Sequence, residues 1–346
     1  MPRSLTFAAV QMNATPAPLS ERLERAAALV RQAACAGAQL VVLPELFNTG
    51  YEYRDQNYDL AELPDGSSVT WMKNIAAQLD VHLAGSLLLR DRGEIYNAML
   101  MLSPEGEIWR YDKTYPWVFE RAYFRAGGSI SVAETRLGRM GMLICWDIAH
   151  PRLWAQYAEQ VQAVVVCSCP PAIHRSTLVF PDGERIPSQE AGRLYAAATR
   201  GAEDTFGAFL RRQAAWLGTP LVNTCACGQF SSCLPLAGLS LAFFALRQRR
   251  LWPYLSRLDA ARLQCSYFQE TYVADANGQV LARVPPESEA FALATVPLPD
   301  APPKPTRPQP PFGLSPLAYI LDALANLLFA SVYASKKKQG GRQTDK

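Results

Sequence analysis

The chain has 346 residues, of which 49% are apolar, and this is enough for one large domain or two ordinary ones with a sizeable core. The formal net charge is only +3, which argues against a nucleic-acid-binding protein. Residues 301–346 carry seven Lys or Arg against two Asp, so residues 1–300 have a net charge of −2 and the positive charge belongs to the C-terminal tail.

Predicted strands and helices alternate along the first part of the chain. The segment SLTFAAVQM predicts a strand, LSERLERAAALVRQAACAGA a helix that stops near Gly37, and QLVVLPE a buried strand. A helix over SVTWMKNIAAQLD and a strand over VHLAGSLLL come next, followed by a hairpin of IYNAMLML and GEIWRYDKTY. Because alternating strands and helices pack in layers, this order indicates an α/β fold.

The second part of the chain continues the same alternation. We predict a strand in GRMGMLIC, a helix in HPRLWAQYAEQ, a strand in VQAVVVCS, one long or two abutting helices over residues 188–218, and a strand in TPLVNTCA. A hairpin on Asn277-Gly278 follows in TYVADANGQVLARV. We therefore assign residues 1–300 to one α/β domain, which contains an apolar and basic insertion at residues 234–264.

The eight cysteines and the first residues bear on the location of the protein. The segment MPRSLTFAAVQMN is strand-like and lacks the long apolar stretch of an export signal, so we expect a cytoplasmic protein with reduced thiols. The pairs Cys167-x-Cys169 and Cys225-x-Cys227 lack the spacing of common zinc sites. We therefore expect these cysteines to be small buried side chains at strand ends, and we expect no metal.

Cys145 closes the predicted strand GMLIC and precedes the turn WDIA and a helix that begins near His150. A thiol between a strand end and a helix N-terminus is favoured as a thiolate, and the free backbone N–H groups there can hold an oxyanion. Position alone supports a buried structural cysteine equally well. The three histidines of the chain give no obvious Cys-His-Asn set, so a nucleophilic Cys145 would need a different base.

Two further residues fit such chemistry. Glu45 follows the buried strand VVLP at the mouth of the predicted sheet, where it is either a catalytic base or an acid at a helix N-terminus. Lys113 lies among aromatic residues in WRYDKTYPW, where a desolvated ammonium would stabilise a developing oxyanion. The alternative is a surface lysine that buries only its aliphatic stem.

Three motifs together resemble a known family: LPELFNTGY around Glu45, YDKTYPWVFERAYFRAG around Lys113, and GMLICWDIAHPR around Cys145. Their order and spacing are similar to the Glu-Lys-Cys triad of the nitrilase superfamily of carbon-nitrogen hydrolases, and the resemblance covers about residues 5–298. It implies a four-layer-forming αββα sandwich that dimerises through its helices and uses no metal or organic cofactor. It also implies that Glu120 is the second glutamate, which orients the lysine or the substrate.

The same resemblance implies a covalent mechanism on a small-molecule amide. Glu45 would take the thiol proton while Cys145 attacks the carbonyl carbon. Lys113 and the backbone N–H of Trp146 would stabilise the oxyanion, and we expect Tyr51 to contact the substrate or this oxyanion. Water activated by Glu45 would then hydrolyse the thioester.

The wording of the motifs bears on the branch of the family. CWD differs from the CWE of true nitrilases, and YDKTYP differs from the RKxH that is frequent in small amidases. We therefore favour hydrolysis of an amide or carbamoyl group. Nitrile hydrolysis, acyl transfer from the thioester to an amine, and a non-enzymatic scaffold on the same fold are the alternatives, and the intact triad argues against the scaffold.

The C-terminal region departs from the α/β rhythm. Residues 301–312 are proline-rich and predict a linker, and residues 313–346 predict an amphipathic helix with a basic tail. A polar stripe and three terminal lysines argue against a helix that spans a bilayer. The stripe consists of Ser315, Tyr319, Asp322, Asn326 and Tyr333, and the lysines are Lys336, Lys337 and Lys338.

This predicted helix shares its apolar and basic character with the insertion, through Phe243, Phe244, Arg247, Arg249, Arg250 and Trp252. Residues 234–264 and 313–338 therefore predict peripheral contact with the inner face of a membrane or, equally, packing in a homodimer or higher homo-oligomer. Because the triad lies before residue 301, we also expect the domain to fold and to act on a small amide without the tail.

Overall fold

The computed structural model of the chain describes residues 3–199, 201, 204–239, 241, 248–308, 310, 311, 314 and 316–340. Its strands are β1 (Ser4–Gln11), β2 (Leu40–Val42), β3 (His82–Asp91), β4 (Glu94–Leu102), β5 (Ile108–Asp112), β6 (Val132–Thr135), β7 (Gly138–Ile144), β8 (Ala163–Ser168), β9 (Thr177–Val179), β10 (Arg185–Pro187), β11 (Leu221–Cys225), β12 (Gln229–Cys233), β13 (Arg262–Ser266), β14 (Tyr272–Ala274), β15 (Val280–Arg283) and β16 (Ala290–Pro297). Its α-helices are α1 (Leu19–Cys35), α2 (Asn57–Leu60), α3 (Ser67–Leu79), α4 (Pro151–Tyr157), α5 (Gly192–Ala198), α6 (Leu210–Leu217) and α7 (Pro316–Gly340).

Two six-stranded sheets form the centre of the molecule. Their strand orders are β16-β1-β2-β3-β4-β5 and β15-β14-β11-β8-β7-β6. Successive side chains of a strand point to opposite faces, so Phe7 and Ala9 of β1 pack in the core between the sheets while Ala8 and Val10 pack against α1 and α3. Helices α4 and α6 pack on the second sheet. The result is an αββα sandwich, which confirms the predicted α/β class.

The predicted elements of the two sheets are confirmed, including the β4–β5 hairpin and the β14–β15 hairpin on Asn277-Gly278. The region 188–218 contains abutting helices: a 3-10 helix at Ser188–Ala191, then α5, a π-helical turn at Thr205–Phe209, and α6. Cys167 and Cys225 are buried and lie on the neighbouring parallel strands β8 and β11.

A third sheet, with the strand order β10-β9-β13-β12, was not predicted. The segment 234–264 is only partly an insertion beside the domain, because residues 262–264 lie in β13 and pair with both β12 and β9. A 3-10 helix at Arg249–Ala260 leads into β13. Three of the insertion residues on which the surface prediction rested, Phe243, Phe244 and Arg247, lie outside the described residues.

The proline-rich segment is not a free linker over its described residues. The Thr306 N–H donates to the carbonyl oxygen of Trp216 at 3.1 Å, and the indole N–H of Trp216 donates to the carbonyl oxygen of Arg307 at 2.9 Å. The side chain of Gln213 donates to the carbonyl oxygen of Pro311 at 2.8 Å. These hydrogen bonds hold the segment against α6, and the chain continues from it into α7.

Helix α7 occupies most of the segment predicted to be helical, and its polar stripe faces the domain. Asp322 and Tyr333 are each 6% exposed, and Phe329 between them is fully buried. The hydroxyl of Tyr333 accepts from the Ile95 N–H at 2.9 Å and donates to Glu94 at 2.8 Å. Ser315 lies outside the described residues.

Both described lysines at the end of α7 are used within the chain, because Lys336 pairs with Asp55 and Lys337 pairs with Glu94 at 2.5 Å. These pairs reduce the positive charge that the helix offers to an anionic surface. The side chain of Lys338 is not among those described.

The outward face of α7 is apolar. Ile320, Leu324 and Leu327 are 56%, 59% and 74% exposed, and their spacing places them on one side of the helix. By length and composition, residues Pro316–Lys337 could also cross a membrane, with a mean hydropathy of 1.6. The polar contacts of the opposite face are those of a helix docked on its own domain. Contact of this region with a membrane surface or a second subunit stays a prediction.

We expect that replacing both Leu324 and Leu327 by Gln removes whichever association this face makes, because the change deletes exposed apolar area but leaves the inward stripe intact. Flotation with anionic vesicles tests the membrane version, and light scattering tests the oligomer version. Vesicle binding through the leucines should depend little on salt, whereas binding through lysines should weaken as salt rises. Leu281→Gln, on the exposed face of β15, is the matched control. If the double variant matches the control in both measurements, the outward face has neither role.

Candidate active site

Four of the residues predicted from the motifs meet at one edge of the sandwich. Glu45 follows β2, Lys113 follows β5, Glu120 lies in a 3-10 helix at Val118–Ala122, and Cys145 begins a second 3-10 helix directly after β7. Each is at most 5% exposed. Because β2 and β5 belong to the first sheet and β7 to the second, the contact between the sheets brings these strand ends together.

The ammonium group of Lys113 lies between the two carboxylates. Its Nζ atom is 2.8 Å from Oε1 of Glu45, and 2.9 and 2.7 Å from the two oxygens of Glu120. The ammonium has three N–H donors, and the two Glu120 oxygens can share one of them. One N–H then remains for an oxyanion on a bound substrate.

Two groups that the motifs did not reveal complete the environment of Glu45. The side-chain amide of Asn97, on β4, donates to Oε1 at 2.8 Å, and the backbone N–H of Cys169, after β8, donates to Oε2 at 2.9 Å. With Lys113 these contacts hold the Glu45 carboxylate in one orientation. Only the position of Cys169 after a buried strand hinted at this role, and nothing in the sequence singled out Asn97.

Glu120 is equally well held. Its carboxylate accepts from the hydroxyl of Tyr51 and from the backbone N–H of Trp117, the latter at 2.7 Å. Burial raises the pKa of Glu120, and Lys113 opposes that rise. Burial alone would lower the pKa of Lys113, but Glu120 and Glu45 raise it well above its usual value, so the side chain is a permanent cation.

The nucleophile candidate sits in a strained, buried turn. Cys145 has φ 48°, in the left-handed region that non-glycine residues rarely adopt. Burial and then the charge of Glu45 raise the pKa of its thiol well above the usual value, against the lowering effect of Lys113. The thiol is therefore neutral at rest and needs a base to become a nucleophile. Glu45 is the carboxylate whose charge acts most strongly on this thiol.

Asp147 anchors the turn after Cys145. It was not among the site residues predicted from the motifs. Its carboxylate accepts from the Tyr111 hydroxyl at 2.8 Å, from the Tyr115 N–H at 2.7 Å and from the Ile144 N–H at 3.2 Å. Burial raises the pKa of Asp147 to about 7, and Lys113 and these donors oppose the rise. Asp147 thus joins the nucleophile turn to the end of β5, where Lys113 lies.

A cavity of about 80 Å³ opens at the thiol. Tyr51 and Trp146, the two residues predicted to contact the substrate or the oxyanion, both line it beside Cys145. The rest of the described lining is mainly apolar and consists of Trp117, Pro170, Pro171, Ile173, Thr199, Thr205, Phe206, Phe268 and Leu314. The cavity is therefore small and offers few polar groups. Among the described residues, no cluster of His, Cys, Asp and Glu side chains is arranged to hold a metal ion.

Solved structures identify the class of the fold. An amidase from Nesterenkonia sp. matches with a TM-score of 0.61 at 18% identity, covering 85% of this chain and 90% of that chain. A nitrilase-superfamily member from Saccharomyces cerevisiae matches with a TM-score of 0.61 at 19% identity, covering 86% and 92%. At these identities the likeness concerns the fold, which is that of the nitrilase superfamily.

The sequence comparison is more specific. The carbon-nitrogen hydrolase family profile matches residues 6–303, so the chain belongs to the carbon-nitrogen hydrolase family. It is 29% identical over 180 residues to a nitrilase of Pyrococcus abyssi, covering 51% of this chain and 66% of that protein. It is 29% identical over 193 residues to an (R)-stereoselective amidase of a Pseudomonas species, covering 51% and 70%. An omega-amidase of Bos taurus is 32% identical over 152 residues, covering 41% and 55%. The chain thus matches between about half and 70% of the length of these relatives.

We expect Cys145→Ala to abolish turnover and leave the fold intact, because it removes one sulfur atom from a turn that Asp147 still anchors. A slow substrate should add its acyl mass to Cys145 in the wild-type protein and not in the variant, as read by peptide mass spectrometry. Cys265→Ala, a buried cysteine in β13, is the matched control and should keep wild-type activity. An alanine variant that retains a tenth of the activity would contradict a covalent role for Cys145.

We expect Lys113→Met to lower the rate by at least about 10²-fold, because it removes the charge that faces the oxyanion. The change also leaves two buried carboxylates without their cation, which costs about 3–5 kcal/mol of stability, so activity must be compared below the melting temperature of the variant. Lys113→Arg keeps the charge but not the compact geometry and should recover stability more than rate. A folded Met variant with wild-type kcat would remove Lys113 from the mechanism.

Proposed function

We propose that the protein is a thiol-dependent hydrolase of a non-peptide carbon-nitrogen bond, with an amide or carbamoyl group as its substrate. The observation that carries this proposal is the convergence of Glu45, Lys113 and Cys145 in one buried cluster beside a cavity. Membership of the carbon-nitrogen hydrolase family supports it. The relatives named as amidases support the reaction class, and one named as a nitrilase keeps nitrile hydrolysis as the alternative.

Acylation begins at the neutral thiol. Glu45 accepts the Cys145 proton as the sulfur attacks the carbonyl carbon, so the negative charge moves to the carbonyl oxygen. Lys113 and the backbone N–H of Trp146 stabilise this oxyanion. When the tetrahedral intermediate collapses, the carbon–nitrogen bond breaks, Glu45 returns the proton to the leaving nitrogen, and an acyl thioester remains on Cys145.

Deacylation uses the same groups in reverse. Glu45 takes a proton from water as the water oxygen attacks the thioester carbon, and Lys113 again faces the oxyanion. The carbon–sulfur bond then breaks, the acid leaves, and the thiol of Cys145 recovers its proton from Glu45. Asn97 and Cys169 hold Glu45 in place through both halves, so one carboxylate can serve as base and then as acid.

The cavity restricts the substrate. Its small volume and mainly apolar walls favour a compact, uncharged group next to the scissile carbonyl. A primary amide or a carbamoyl amine of this shape places its carbonyl at Cys145 and its nitrogen towards Glu45. Acyl transfer to an amine differs only in the second nucleophile, since an amine would replace water at the thioester.

A screen of the purified protein separates these reactions. We expect hydrolysis of small apolar amides or carbamoyl amines, with release of ammonia or amine and an acyl adduct on Cys145 detected by mass spectrometry. Matched nitriles of the same carbon skeleton should react more slowly, and added hydroxylamine should divert part of the acyl group if the thioester accepts an amine. Cys145→Ala protein is the blank for every substrate. Faster turnover of the nitriles than of the amides would overturn the proposal.

A further inference from the structure

Helix α7 contacts both of the 3-10 helices that carry the catalytic cluster. We call these the active-site turns: Val118–Ala122 holds Glu120, and Cys145–Ala149 holds the nucleophile. The family match ends at residue 303, so α7 lies beyond it. The contacts of Tyr319, Asp322 and Phe329 on α7 are with these two turns or with the residues next to them.

Asp322 is the central contact. Its side chain is 6% exposed, and Oδ1 accepts from the backbone N–H of Val118 at 3.4 Å. Burial raises the pKa of Asp322 to about 6, and the Trp146 indole and the Val118 N–H oppose that rise. The indole nitrogen of Trp146 is buried and makes no hydrogen bond of normal geometry with a described residue. Asp322 therefore lies between the two active-site turns.

Tyr319 provides the second contact, one helical turn before Asp322. Its hydroxyl donates to the carbonyl oxygen of Ala149, the last residue of the nucleophile turn. Its ring packs edge-on against His150, with 5.6 Å between centroids. On the other turn, Phe329 of α7 packs against Phe119 with 5.4 Å between centroids. Polar and apolar contacts of one helix thus reach both turns.

The two turns need this support because their backbones are strained. Val118 has φ 34° and Cys145 has φ 48°. A non-glycine residue in this region costs about 1–3 kcal/mol and persists only where its surroundings fix it. Asp322 accepts from the N–H of Val118, which is one of the two strained residues. Tyr319 donates to the carbonyl oxygen of Ala149, at the end of the turn that Cys145 begins. The contacts of Asp147 and Glu120 hold the same turns, and the two α7 contacts add to this support.

We propose that Asp322 and Tyr319 are positioning residues, which hold the two active-site turns in register so that the thiol, Glu45 and the Lys113–Glu120 pair stay aligned. The inference rests on the proposed hydrolase function, and it reverses the expectation that the domain acts on small amides without its tail. Neither residue touches the reacting atoms. Leu314, just before α7, lines the cavity itself, so the same segment also limits the substrate.

Steady-state kinetics on the best amide from the screen test the proposal. Asp322→Ala and Tyr319→Phe should each lower kcat about 10-fold or more, because a small misplacement of reacting groups is costly, while KM changes by less than about threefold. Asp322→Asn keeps an oxygen acceptor for the Val118 N–H and should recover most of the loss. Leu324→Ala, on the outward face of the same helix, is the control and should behave as wild type.

A second readout does not need a substrate. The rate at which iodoacetamide alkylates Cys145, followed by peptide mass spectrometry, depends on the alignment of the thiol with Glu45. It should fall several-fold in Asp322→Ala and Tyr319→Phe and stay unchanged in Leu324→Ala. If the wild type hydrolyses no amide and yet shows this pattern, the proposed function fails and the positioning role stands.

Two results would overturn the positioning role. One is an alkylation rate and a kcat that equal those of the wild type in folded variants. If Asp322→Ala does not fold, Tyr319→Phe decides alone, because this change removes only a hydroxyl. The other is an equal loss in Leu324→Ala, which would mean that α7 acts through helix stability and not through Asp322 and Tyr319. Circular dichroism and thermal melting of each variant establish which proteins are folded.

Discussion

A buried ammonium between two buried carboxylates is the interaction on which the rest of the structure depends. Lys113, Glu45 and Glu120 are all shielded from water, and a charge in such a place is stable only if it is paired and hydrogen-bonded. Two carboxylates against one ammonium leave an excess of negative charge when both are ionised. The surrounding side-chain and backbone N–H and O–H donors compensate this excess. The residues next to the cluster must therefore offer hydrogen-bond donors.

This charge arrangement also explains the state of the thiol. Cys145 lies in the same buried space, where burial and the Glu45 carboxylate raise its pKa and favour the neutral form. A cysteine that relied on a lowered pKa would need a net positive environment. Here burial, and after it the charge of Glu45, raises the pKa of the thiol and keeps the proton on sulfur. The ion pairs themselves add little stability, because a buried pair gains little over well-packed apolar side chains.

Local patterns predicted the elements that are long and periodic and the residues that stand at their ends. Hydrophobic runs fixed β2, β7 and β8, and Glu45 and Cys145 follow two of these strands. Strands β9 and β10 have only three residues each and lie outside the alternation of strands and helices, so the third sheet was not predicted. Asn97 looks like any polar residue of an alternating strand, and only the three-dimensional contact with Glu45 gives it a role.

Helix α7 shows how a polar stripe can become the side on which a helix docks. A polar stripe is normally taken to face water, because an isolated side chain finds its partners there. The domain surface under α7 instead offers backbone N–H and C=O groups that the strands and turns leave unpaired, at Ile95, Val118 and Ala149. Burying such groups without partners would be costly, so the stripe that satisfies them is the side that docks. The leucines then face outward as a consequence of this choice. The polar residues of α7 thus lie where they pair with Ile95, Val118 and Ala149, and the apolar face stays exposed.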